Sequence, residues 1–146
     1  MQIDYVDEGL HSFSAQSKYT TEIPSIVATI NFEVDAVEGP SLLFNPRYQE
    51  SAVSQTFQLS LLAEEVTNIS GAEVILTFDP EIIEIVNVLQ GELFNELGQI
   101  IFIEDHSSSS GTVTISTAVW GNDKPAATGT KSLAEIQVRL KKSGNA

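Results

Sequence analysis

Period-two alternation within short, β-branched segments is the feature that most restricts what this chain can fold into. In TFQLSLLA (56–63), Phe57, Leu59 and Leu61 share one face while Gln58 and Ser60 share the other. In AEVILTF (72–78), Val74, Leu76 and Phe78 point one way and Glu73, Ile75 and Thr77 the other. GTVTISTAV (111–119) alternates Val113 and Ile115 with Thr112, Thr114 and Ser116. SLAEIQVRLK (132–141) sets Leu133, Ile136, Val138 and Leu140 against Gln137 and Arg139, with an irregularity before Ile136. Successive strand side chains go to opposite faces, so four such segments describe sheets with one dry and one wet side. Gly, Pro, Asn and Ser bound the segments, and together they predict an all-β sandwich.

The segment EIIEIVNVLQGE (81–92) carries apolar residues that a helix could also use. Its β-branched density and its entry from Asp79-Pro80 favour a strand, because proline holds the preceding residue extended. TNISG (67–71) reads as a turn, NELGQ (95–99) as a hairpin loop and HSSSSG (106–111) as a polar turn. GNDKPAATGTKS (121–132) reads as a long loop marked by Pro125 and Gly129. Asp79 is expected to bond nearby backbone amides, and Glu64-Glu65 and Glu104-Asp105 to face water.

Charge and composition narrow the function. Twenty acidic against seven basic residues give a net charge of −13, which argues against nucleic acid and anionic membrane surfaces as partners. The acid is spread along the chain, which serves solubility or attraction to a basic partner. Without cysteine there is no disulfide, thiolate metal site or cysteine nucleophile. No window approaches the roughly 18 apolar residues of a helical membrane span. MQIDYVDEGLHS lacks the basic start and apolar centre of a signal peptide.

Residues able to carry chemistry are scattered. His11 and His106 fall in separate polar segments without metal-ligand spacing. There is neither an Asp-x-Asp-x-Asp calcium loop nor a G-x-S-x-G elbow. Nothing sets two of the carboxylate-rich spots a defined distance apart across a sugar, as a glycosidase requires. No catalytic residue, metal or cofactor is expected. Trp120, the single tryptophan, ends a strand beside Gly121. It suits a core cap, a protein-interface anchor or a sugar platform.

The order of these features resembles a cohesin domain over residues 40–144. One motif runs through Val66, Asn68, Gly71, Phe78, Asp79, Pro80, Ile83, Val88 and Gly91, and a second spans Gly129 to Ile136 in TGTKSLAEI. The resemblance implies a nine-stranded jelly-roll β-sandwich that binds a dockerin, a helical module carrying its own calcium, and does no catalysis. It also implies an extracellular or cell-surface setting, as in cellulosome scaffolds. A carbohydrate-binding β-sandwich ancillary to a polysaccharide-active enzyme is the alternative, with Trp120 and surface Tyr as platforms.

By that resemblance SLAEIQVRLKK matches the seventh strand, close to Ala146, while 39 residues precede the first. QIDYV (2–6) and PSIVATINFEV (24–34) read as strands, with HSFSAQSKYTTE as a polar loop between them. The expectation is a single circularly permuted domain over 1–146. Residues 1–34 would supply strands eight and nine, 35–40 the join, and 41–146 strands one to seven. An incomplete jelly roll or a domain-swapped dimer would account for the same order, although a monomer is expected. In cohesins the dockerin lies on the sheet of strands eight, three, six and five. Carried over, the third strand offers Glu73, Ile75 and Thr77, and the sixth Thr114, Ser116 and, beyond them, Val119 and Trp120. The fifth offers either Ile101 and Ile103 or Ile100 and Phe102.

Overall fold

The computed structural model describes residues 9–18, 24–34, 39–121 and 125–144. The chain divides into two units, Met1–Glu38 and Gly39–Ala146. Among its described residues the larger holds seven strands: β3 (Ser41–Asn45), β4 (Thr56–Ile69), β5 (Gly71–Thr77), β6 (Ile83–Gln90), β7 (Gln99–Ser107), β8 (Thr112–Trp120) and β9 (Ala127–Leu140). They form a four-stranded sheet, β3-β4-β9-β6, and a three-stranded sheet, β5-β8-β7, with every pair antiparallel. The ambiguous segment at 81–92 is indeed a strand.

The alternation decides which faces meet. Leu61 on β4, Val113 and Ile115 on β8, and Leu133 and Val138 on β9 are the largest fully buried side chains. Both sheets therefore contribute inward rows to one core, and Val74, Ile85 and Ile136 extend it. The irregularity before Ile136 is a register shift, since Leu61 faces Ala134 whereas Leu62 faces Ser132. Gly91 is required at that point. Its N–H donates to the Leu133 carbonyl at 3.0 Å, and a Cβ there would collide with the Ser132 backbone. Asp79 behaves as expected, its carboxylate accepting from the Glu81 N–H at 2.8 Å.

Several local expectations are corrected. Residues 127–132 belong to β9 rather than to a loop, because β4 and β9 stay paired through further bulges. Positive φ at Glu65, Asn68 and Gly129 accommodates those bulges. The hydroxyls of Thr130 and Thr128 accept from the Glu65 and Asn68 N–H groups at 3.0 and 3.1 Å. TNI of TNISG accordingly ends β4, and only Ser70 separates it from β5. NELGQ closes no hairpin, since the strands it joins, β6 and β7, belong to different sheets. Glu64 does not face water. It is buried and accepts from the Ser41 hydroxyl at 3.0 Å.

The smaller unit pairs β1 (Gly9–Ala15) with β2 (Ala28–Val34) as an antiparallel sheet of its own. HSFSA was expected in a loop but is strand, because Phe13 and Ala15 meet Ile30 and Ala28 on one face. His11 stacks on Phe32 on that face, with centroids 5.6 Å apart. The expected strand at 2–6 lies outside the described residues, as do 35–38 of the join. These pairings do not confirm the permuted order, since β2 has β1 as its hydrogen-bonded neighbour.

Candidate partner-binding face

The outer face of the three-stranded sheet is built by the residues left over from the core. On β8 the inward residues are Val113, Ile115, Thr117 and Val119, so the outward set is Thr112, Thr114, Ser116, Ala118 and Trp120. Registers then fix the neighbours. Ile75 pairs with Thr114, which pairs with Asp105 across the other edge. Glu73, Ser116 and Ile103 form the next row, followed by Gly71, Ala118 and Ile101. Thr77, Thr112 and Ser107 close one end, and Trp120 opposite Gln99 closes the other.

This arrangement brings together eight of the nine residues expected to bind a partner: Glu73, Ile75, Thr77, Ile101, Ile103, Thr114, Ser116 and Trp120. It chooses Ile101 and Ile103 over Ile100 and Phe102, which turn inward as partners of Val119 and Thr117. Val119 is corrected. Its odd-numbered parity with Val113 and Ile115 puts it in the core at 5% exposure, where no partner can reach it. Gln99, Asp105 and Ala118 belong to the face but were not singled out. Strict alternation from Ile101 and Trp120 would have found them.

The surface is mixed in character. Ile75, Ile103 and Trp120 are 65%, 61% and 64% exposed, an unusual set of large apolar side chains on one sheet face. Hydroxyls lie between them, and the Ser116 hydroxyl donates to the Glu73 carboxylate at 3.2 Å. Glu73 and Asp105 make the face acidic. Gly71 and Ala118 are the small residues of the row that ends at Ile101. Exposed Trp120 does not cap the core.

Catalytic geometry is not assembled among the described residues, and no group of three His, Asp or Glu side chains is placed to share a metal ion. His106 lies on β7 rather than in a loop, and its Nδ1 is 2.8 Å from the Glu104 carboxylate. That pair has the inward parity of Ile100 and Phe102, so it stands on the side of β7 opposite the apolar face.

A family model for the cohesin domain matches residues 44–146. The chain belongs to the cohesin family. Cohesin domains are non-catalytic protein–protein interaction modules that bind dockerins. Solved structures with the same fold include a type II cohesin in a cohesin–X–dockerin complex from Acetivibrio cellulolyticus. It is 20% identical, with a TM-score of 0.59 over 73% of this chain and 72% of that one. The type II cohesin dyad from the adaptor ScaA scaffoldin of the same organism is 17% identical, with a TM-score of 0.62 over 80% of this chain and 40% of that one. A type II cohesin, A11, from Bacteroides cellulosolvens is 14% identical, with a TM-score of 0.57 over 73% and 70%. No individually curated protein matches the chain.

Proposed function

We propose that this cohesin binds a calcium-loaded, dockerin-like helical module through the outer face of β5, β8 and β7, as an adaptor working outside the cell or at its surface. The observation that carries this reading is the cluster of Ile75, Ile103 and Trp120, exposed on one sheet amid hydroxyls and carboxylates. An interface of this kind needs a few large apolar anchors within a polar surround, and these strands supply both. The acidic side chains favour a partner whose contacting helices carry Lys and Arg. On this face a sugar-binding role draws support from Trp120 alone, since Ile75, Ile101 and Ile103 offer no aromatic ring on which a second sugar could stack and exposed Tyr48 lies outside its strands.

The test is calorimetric titration of the whole chain with dockerin modules, in calcium and again in chelator. Saturable binding in calcium that disappears in chelator is the expected result, because the partner's fold depends on its ions. If no module from a broad dockerin panel binds, while a glycan array yields a ligand lost in Trp120→Ala, the reading fails in favour of the sugar-binding alternative.

A further inference from the structure

Asn68-Ile69-Ser70 is the one Asn-x-Ser/Thr triplet in the chain, and binding through the outer face of β5, β8 and β7 makes no use of it. That spacing is the acceptor signal for N-linked glycosylation, a surface modification of exported proteins. An acceptor also needs a carboxamide that stands in water and is free of competing bonds.

The end of β4 supplies both conditions. Between Val66 and Ile69 the pairing with β9 shifts register, and Asn68 takes a left-handed φ of 57° in that bulge. Its backbone N–H donates to the Thr128 hydroxyl at 3.1 Å, and Val66 and Ile69 pack against the core, so the backbone is held on both sides. The Asn68 side chain is nonetheless exposed. Neither its carboxamide nor the Ser70 hydroxyl has a hydrogen-bond partner among the described residues. A left-handed φ favours asparagine at position 68. It demands nothing of position 70, where the fold uses only the Ser70 carbonyl, which accepts from the Val119 N–H at 2.8 Å. The bulge therefore explains the first member of the triplet and not the third.

We propose that Asn68 is an acceptor for N-linked glycosylation, an inference that rests on the extracellular setting proposed above and not on the identity of the partner. The donor is an oligosaccharide carried on a polyprenyl diphosphate. The Asn68 carboxamide nitrogen forms a bond to the anomeric carbon of the sugar. The bond from that carbon to the diphosphate oxygen breaks, its electron pair leaves with the diphosphate, and the nitrogen gives up one proton to the transferase. The glycan leaves the sandwich at the Trp120 end of the three-stranded sheet, where Ser70 is bonded to the residue before Trp120.

The full chain, secreted from a eukaryotic host behind a cleavable leader, meets a transferase that uses this donor. Intact mass should show one N-glycan on most chains, and a peptide-N-glycosidase should remove it and leave aspartate at position 68. Asn68→Gln and Ser70→Ala should each abolish the addition. Ser70→Ala keeps Asn68 and its bulge, so a loss there reads the motif rather than the fold. Because the side chain stands in water, the glycosylated chain should unfold at the same urea midpoint as the chain without glycan. Unmodified chains overturn the proposal, as does an addition that survives Ser70→Ala or a glycan that lowers the midpoint. Incubating the purified chain with a single-subunit transferase and the polyprenyl-diphosphate donor gives the same comparison without secretion. None of these measurements involves a dockerin, so their failure is distinct from a failed dockerin titration.

Discussion

Replacing Ile75 or Ile103 with alanine separates a binding face from an ordinary wet surface. Full burial of an isoleucine side chain is worth about 1.5–3 kcal/mol. Ile75 and Ile103 keep 65% and 61% of their surface exposed, so covering either with a partner would contribute about 1–2 kcal/mol. Alanine forfeits most of that, a loss of about 5- to 30-fold in affinity. Neither side chain lies in the core, so each variant should stay within about 0.5 kcal/mol of the parent in unfolding free energy. Ile115→Ala supplies the contrast. Ile115 lies on the same sheet, facing inward at 0% exposure, and its truncation should cost about 2–5 kcal/mol of stability. Calorimetric titration with a bound dockerin module gives the first quantity, and urea unfolding gives the second. If Ile75→Ala and Ile103→Ala both bind like the parent while Leu89→Ala, on β6 of the other sheet, weakens binding, the face has been misassigned.

Three further outcomes follow from particular contacts. Gly91→Ala should lower stability by about 1–3 kcal/mol in urea unfolding, because its Cβ would meet the Ser132 backbone, which cannot swing aside. Ser41→Ala should cost about 1.5–3 kcal/mol by the same measurement, since it removes a hydrogen bond to the buried Glu64 carboxylate; an unchanged midpoint would show that Glu64 finds another donor. Stopped-flow association with a basic partner should slow at least about tenfold between 0.1 and 1 M salt, as the screening length falls from about 10 to about 3 Å. A salt-independent rate would remove electrostatic steering from the account of the −13 charge.

Much of the fold was legible because alternation is local. Phe57, Leu59 and Leu61 announce their shared face within one strand, as do Val113 and Ile115. The resemblance to cohesins pointed to the sheet and parity chose Ile75 and Thr114 on it, while Val119 was misassigned where parity was not carried to the end of β8. Glu64 was misread because its solvation depends on Ser41, 23 positions away, and that pairing is set by β3 against β4. The extent of β9 was equally invisible. Gly129 and Pro125 look like loop punctuation until β4 supplies a bulged partner for residues 127–132.

What the sequence by itself determined is the all-β class and the inward and outward set of most strands, both read from short-range pattern, while two of its motifs carried the resemblance to cohesins. Only the tertiary structure decided that β6 and β7 belong to different sheets and that Ile101 and Ile103 are the outward pair. Those facts depend on which distant strands share hydrogen bonds. A single strand's pattern shows that it has two unlike faces, and its neighbours decide what each face meets.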